Sequence, residues 1–398
     1  MKKHITAGTA VALCALTAVG TFNVTLLGCR SGLNRLLPSY TAQQELYGKL
    51  GEIKQTVDEH YVGTYDVDEA VDMAATGFVV GIGDRWSSYL NAEQFEKYKL
   101  NFGGQLVGIG VSVSYDEGQQ AIHISDVYEG SPAERAGLRR GDYILGADGK
   151  TVKDDGYNEV VNAVSGKEGT KVVLTVRYAD GETDKITCER KKVDKVTVRG
   201  KMLDGHIGYL RIRDFDGGAD TQFQEALQEL LDKGADQLVF DVRFNPGGSV
   251  TVLANMLDRL LPEGPIITLK PKGGEGGKEY TSDENEIDLP MAVLVNAESI
   301  SAAEFFPAAL QEYGKAVIVG DKTIGKGYSQ RQYPLSDGSA LILSDQMYYT
   351  PKGKNLAGVG ITPDVEIALP EEKYSNFEFL EPGDDDQLQA ALQALGDR

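Results

Sequence analysis

The chain has 398 residues, enough for two or three compact domains, because single hydrophobic cores rarely grow beyond roughly 250 residues. Its 40 Lys plus Arg against 60 Asp plus Glu give a formal charge of −20, a field that repels a phosphate backbone and excludes nucleic acid as a natural partner. The three cysteines, Cys14, Cys29 and Cys188, supply neither a disulfide framework nor a metal cluster.

The first element is a leader. Lys2, Lys3 and His4 precede an uncharged run from Ile5 to Cys29, of about the length that crosses a hydrocarbon layer. Residues 1–35 are therefore expected to be a signal anchor in the cell membrane, a single transmembrane pass with the N-terminus inside and the folded part extracytoplasmic. Leu26-Leu27-Gly28-Cys29 also resembles a lipoprotein cleavage box, so a lipidated or cleaved leader stays open.

Residues 36–100 read as an N-terminal helical region, with Leu46, Leu50, Ile53 and Val57 at helical spacing. Within it Asp84-Arg85-Trp86-Ser87-Ser88-Tyr89 breaks the pattern and reads as a connector. Residues 101–190 form short alternating runs, Gly110 to Tyr115, Ala121 to Val127 and Lys171 to Tyr178. A capped helix start at Ser131-Pro132 and a helix near Tyr157 to Val164 complete a small β-rich domain. Residues 191–370 alternate strand and helix: 207–212, 219–233, 237–243, 250–260, 291–296, 302–313 and 316–319. This argues a largely parallel α/β layer. Ala340 to Tyr349 reads as an edge hairpin strand, and residues 371–398 as an acidic segment with a short helix carrying Leu388, Leu392 and Leu395. The fold class expected is thus multidomain α/β (α+β).

Chemistry is sparse in histidine. Only His4, His60, His123 and His206 exist, and no Gly-x-Ser-x-Gly elbow is present, so a Ser-His-Asp hydrolase has little support. Gly320 to Gly327 nearly spells a phosphate-binding loop, but Gly327 stands where a hydroxyl would hold Mg²⁺. What remains is Lys326 between two glycines. Ser301 lies at the carboxyl end of a strand, where open α/β sheets bind ligands, and with Glu304 it also fits a capping box. Asn245-Pro246-Gly247-Gly248 ends another strand and offers free backbone N–H groups, or simply a tight turn.

In this order the segments resemble the carboxy-terminal processing peptidases, also called tail-specific proteases. The resemblance runs from about Tyr40 to the C-terminus. Ser131-Pro-Ala-Glu-Arg-Ala-Gly-Leu-Arg-Arg-Gly-Asp-Tyr-Ile-Leu145 resembles a PDZ signature, and Gly108-Ile109-Gly110-Val111 its carboxylate-binding loop. Downstream, Asp241 to Gly248, Val295 to Glu304, Gly325 to Gln330 and Tyr348 to Pro351 fit the family pattern. The resemblance implies a serine peptidase with a PDZ domain and a core like the crotonase/ClpP layer. Ser301 would be the nucleophile, Lys326 the general base and Gln330 the residue orienting its amine. Backbone N–H groups of Ala302 and of Gly247 or Gly248 would hold the oxyanion, with Glu304 as support. No cofactor and no metal is implied. The partners implied are proteins with free C-termini, and the resemblance to a family whose members often self-associate through terminal segments leaves a homodimer open.

Some residues depart from the pattern: Arg85 stands where proline is usual, Phe244 precedes Asn245, Ala303 replaces a serine and Glu298 precedes the nucleophile. A carboxylate at 298 close to Lys326 would raise the lysine pKa and suppress its basicity. The alternatives are therefore an inactive membrane-tethered PDZ adaptor and a hydrolase of small esters or amides.

Overall fold

The computed structural model describes residues 45–274, 276–374 and 376–396; the signal anchor expected at 1–35 lies outside them. Among the described residues no helix is long and apolar enough to cross a membrane. The chain divides into two compact units, one ending at Met73 and one starting at Ala74.

In the first unit residues 45–60 are helical, as the spacing of Leu46, Leu50 and Ile53 predicts. Lys54 and Asp58 pair one turn apart at 2.6 Å, and the Tyr65 hydroxyl donates to Asp58 at 2.6 Å. Leu46, Leu50 and Ile53 themselves stay exposed.

The second unit begins its β-rich part at the strand Gln105–Gly108, which pairs antiparallel with Lys191–Asp194. These two strands bracket a sheet in which Val111–Asp116, Ala121–Val127, Tyr143–Ala147, Lys171–Arg177 and Thr183–Glu189 are neighbours in that order. Alternation builds it: Val172, Leu174 and Val176 are fully buried while Lys171 and Val173 face outward. Ser131 caps the helix Pro132–Arg135 by accepting from the Glu134 amide at 3.1 Å. Val111–Asp116 ends the sheet, so among the described residues no strand pairs with its outer edge. The helix Tyr157–Val164 lies beside it, with Val160 and Val164 buried.

The α/β part is a six-stranded sheet with Val198–Leu203, Ile207–Ile212, Gln237–Asp241, Met291–Val295, Ala316–Gly320 and Val365–Glu366 in that order. Only the first pair is antiparallel. The central strands are apolar through their middles, residues 238–240 and 291–295, as sheets covered on both faces require; Met291 to Val295 are all fully buried. One face packs on Phe223, Leu227 and Leu230 of the helix Ala219–Asp232 and on Phe306 and Leu310 of the helix Ala302–Tyr313. The other packs on Leu388, Ala391 and Leu395 of the C-terminal helix Asp386–Gly396. The segment read as an acidic tail and short helix is thus the second cover of the sheet.

One strand differs from its expectation. Ala340–Tyr349 is not an edge strand: it pairs with Ser88–Leu90, with Tyr328–Pro334 and with Gly264–Pro271. Its ten residues are long enough to serve two partners along one side and a third along the other. It therefore anchors a second sheet beside the first.

Arg243 fastens the C-terminal segment. It is 1% exposed and donates to Asp241 at 2.6 Å and to Asp385 at 2.7 Å, with Gln387 at 3.0 Å. Removing one partner of a buried pair strands the other charge. Arg243→Met is expected to lower unfolding stability by about 3–5 kcal/mol, read from urea denaturation of the full chain, with Asp385→Asn costing less because the amide still accepts.

Candidate active site

Three loops converge where the two sheets of the α/β part meet. The first follows Met291–Val295 and delivers Ser301 at the head of the helix Ala302–Tyr313. Ser301 has φ 61° and ψ −118°, a backbone state that costs a non-glycine residue on the order of 1–3 kcal/mol. The strain turns the hydroxyl out of the helix and into a cavity of about 460 Å³.

The second loop, 321–327, carries Lys326. Gly325 and Gly327 have positive φ, and a Cβ on Gly327 would lie 2.2 Å from the Ala357 amide nitrogen, so only glycine lets this loop pack. The loop runs into the strand Tyr328–Pro334 rather than a helix, which removes the phosphate-binding reading. A register shift between Ser329 and Gln330 re-aims Gln330 toward the lysine. Lys326 Nζ donates to Gln330 Oε1 at 2.5 Å. Burial lowers the Lys326 pKa to about 8, against the smaller upward pulls of Glu304 and Asp84.

Glu304 joins the two loops. Its buried carboxylate accepts from the Ser301 amide at 2.9 Å and the Lys326 amide at 2.9 Å on one oxygen. The other oxygen accepts from the Gly325 amide at 2.7 Å and the Thr323 hydroxyl at 2.7 Å. The capping-box reading thus holds for the glutamate, which also reaches the lysine loop. The Ser301 hydroxyl pairs instead with the Tyr348 phenol at 2.8 Å.

The third loop, Asn245 to Ser249, lies against Ser301: a Cβ on Gly247 would be 2.7 Å from the Ile300 carbonyl oxygen and 2.8 Å from Ser301 Cβ. The Gly247 amide already donates to Asn245 Oδ1 at 2.8 Å. Neither the Gly248 nor the Ala302 amide donates to another described residue. Of the two glycines read as anion donors, Gly248 is therefore the one with a free N–H. Phe215 fixes this loop through backbone bonds to Gly247 and Ser249, and Lys195 holds the flanking Asp214 and Asp216 at 2.7 and 2.6 Å along the cavity wall.

Two expectations change. Residues 84–89 are not a plain connector: Gln330 Nε2 donates to the Trp86 carbonyl, and the Lys326 ammonium sits 5.1 Å from the Trp86 ring centroid. Asp84 shapes the turn by accepting from the Trp86 amide and the Ser87 hydroxyl. The sequence signal was there, a D-x-W-S run with Asx-turn chemistry, but nothing local aims it at a lysine over two hundred residues away. Glu298 is exposed and exerts its field on Tyr374, while the carboxylates acting on Lys326 are Glu304 and Asp84. The other departures have local accounts: Arg85 covers the Trp86 ring at 4.4 Å, Phe244 packs on Phe377 at 4.6 Å, and Ala303 is fully buried. His206 is exposed near the Gly234 carbonyl, and His123 is stacked between Tyr143 and Phe379, so neither reaches Ser301.

A second, apolar cavity of about 210 Å³ lies between the edge strand Val111–Asp116 and the helix Tyr157–Val164. Gly108, Ile109, Gly110 and Val111 line it together with Val113 and Val161. The Ile109 and Gly110 carbonyls are taken by the Ala133 and Tyr128 amides, which fixes the loop.

Sequence comparisons place the chain among known families. The profile of peptidase family S41 matches residues 206–367 and a PDZ domain profile matches 123–177. The chain is 33% identical over 379 residues to the probable CtpA-like serine protease of Staphylococcus aureus strain COL, covering 92% of this chain and 74% of that protein. It is 31% identical over 374 residues to the carboxy-terminal processing protease CtpA of Bacillus subtilis strain 168, covering 94% and 78%. A solved putative S41 protease from Bacteroides fragilis shares the fold at 19% identity, with a TM-score of 0.59 over 85% of this chain and 93% of that one. The chain belongs to peptidase family S41: it is a serine peptidase of the carboxy-terminal processing group that carries a PDZ domain.

Proposed function

We propose that this protein is a serine endopeptidase that engages the C-terminal tails of proteins through its PDZ groove and hydrolyses peptide bonds with Ser301, Lys326 and Gln330. The observation that carries the reading is a buried lysine, hydrogen-bonded to an amide and opening onto the same cavity as Ser301. A serine hydroxyl attacks only when a base takes its proton, and an amine is that base only when neutral. Gln330 directs the amine without adding the negative charge that would favour ammonium.

In acylation the Ser301 proton passes to Lys326, an Oγ–C bond forms and the peptide oxygen becomes an oxyanion. The Ala302 and Gly248 amides, which donate to no other described residue, would receive that charge. Collapse breaks the C–N bond, and the leaving amine takes its proton from Lys326. Water then repeats the sequence on the ester. The edge of Val111–Asp116 accepts an extended tail as an added strand, and the loop 108–111 would meet its terminal carboxylate. The basic start and uncharged run of residues 1–35 support placement at the cell membrane with the catalytic part outside. Self-association into a homodimer belongs to the same proposal.

Cleavage of an unfolded substrate protein by the full chain should fall at least ~10³-fold in Ser301→Ala and in Lys326→Ala; retention of cleavage in either variant would falsify the mechanism. The base must be neutral, so kcat/KM should rise with pH through an apparent pKa near 8 and fall away below it as Lys326 becomes ammonium. Glu304→Gln leaves donors without acceptors and is expected to cost about 2–4 kcal/mol together with activity, measured by denaturation and turnover on one preparation. Gly110→Val places a Cβ 2.4 Å from Ser131 Cβ at a φ of +81°. It should abolish binding of fluorescent peptide tails while leaving turnover of a short peptide ester intact.

A further inference from the structure

Tyr348 is a buried side chain at the reaction centre that the Ser-Lys-Gln scheme leaves unused. It is 1% exposed, lies on the strand Ala340–Tyr349, and its ring packs edge-to-face on Phe305 with centroids 4.1 Å apart. Its hydroxyl sits 2.8 Å from Ser301 Oγ, its hydrogen-bond partner among the described residues.

A phenol has one proton to give, and a buried O–H almost always finds an acceptor. If Ser301 were the donor of this bond, the Tyr348 proton would have no acceptor among the described residues. The reverse assignment satisfies the phenol and frees the serine proton to turn into the cavity that Ser301 and Lys326 both line. Burial also pushes the Tyr348 phenol far above its ordinary pKa, so it stays protonated wherever Lys326 can titrate. Asn355 Nδ2 donates to the Tyr348 carbonyl at 2.8 Å and to the Gly327 carbonyl at 2.9 Å, tying the tyrosine backbone to the residue after Lys326.

We infer that Tyr348 is a catalytic residue: its phenol donates a hydrogen bond to Ser301 Oγ, steering the serine proton toward Lys326 and stabilising the negative charge that grows on Oγ. The phenol keeps its own proton throughout. In acylation the Oγ–H bond breaks toward Lys326 as the Oγ–C bond forms. In deacylation the C–Oγ bond breaks while the phenol holds the departing oxygen, which regains its proton from the Lys326 ammonium. A donor already aimed at the oxygen where charge develops needs no reorganisation during the reaction. The inference rests on Ser301 being the nucleophile.

The test compares the full chain with Tyr348→Phe, which removes one oxygen and keeps the ring against Phe305. Two readings are taken from pH 6 to 10: covalent labelling of Ser301 by a fluorophosphonate probe, and turnover of a peptide substrate. The expected result is a fall in labelling rate and kcat of about 10- to 100-fold at every pH, with KM, the inflection near 8 and the thermal unfolding midpoint unchanged. Equal labelling rates in the two proteins would overturn the inference alone. Faster labelling by Tyr348→Phe would overturn it too, since the phenol would then be restraining the serine. A parent protein unlabelled at Ser301 would overturn the nucleophile assignment and this inference with it.

Discussion

The site depends on the carboxylate of Glu304. One side chain accepts four hydrogen bonds from two loops that follow different strands of the same sheet. It sets the position of the Ser301 backbone and the Lys326 backbone relative to one another, and it does so from a fully buried place. Burying a carboxylate is costly unless its oxygens are saturated, and here they are. The same charge works against the lysine, raising its pKa, while desolvation of the amine pulls the other way and prevails. The balance leaves an amine that is neutral in part near neutral pH, as a general base requires.

Around that anchor, conformational freedom is spent where chains approach closely. Ser301 carries its strain in a backbone state that glycine would adopt freely, and Gly247 is the residue that lets the neighbouring loop come within contact of it. Gln330 is held by the Trp86 carbonyl on its amide nitrogen, so its oxygen faces the lysine. The orientation of an amide, ambiguous in isolation, is fixed by which backbone group it meets.

The C-terminal segment binds the PDZ domain to the peptidase core. Glu378 pairs with Arg211 and Arg213, Arg213 also approaches Asp126 of the PDZ domain, and Phe379 stacks on His123 at 3.6 Å. Arg140 donates to the Glu378 carbonyl at 2.8 Å. A histidine with no part in catalysis thereby gains a packing role, and the desolvation of that stack lowers its pKa. The core strands reach the same segment through Arg243 and Asp385.

Much of this was legible in the residues themselves. The apolar runs 238–240, 291–295 and 316–319 stand out as short continuous stretches and the helices between them by their 3.6-residue period, and both are properties of sequence. Ser301, Glu304 and Lys326 stood out because a strand end, a helix cap and a pair of glycines each leave a local mark, whereas Gln330 and the roles proposed for all four came from the resemblance to the family. Contacts between segments distant along the chain left none. Trp86 meets Gln330, Tyr348 meets Ser301, and the choice of Gly248 over Gly247 turns on the side chain of Asn245. Glu298 lies three residues before Ser301, yet it is exposed and acts on Tyr374, while Glu304 acts on the lysine. The sequence by itself determined most of the elements and the family, and it nominated the candidate reacting groups. Only the tertiary structure decided which donor meets which acceptor, because direction and desolvation arise when distant segments are packed together.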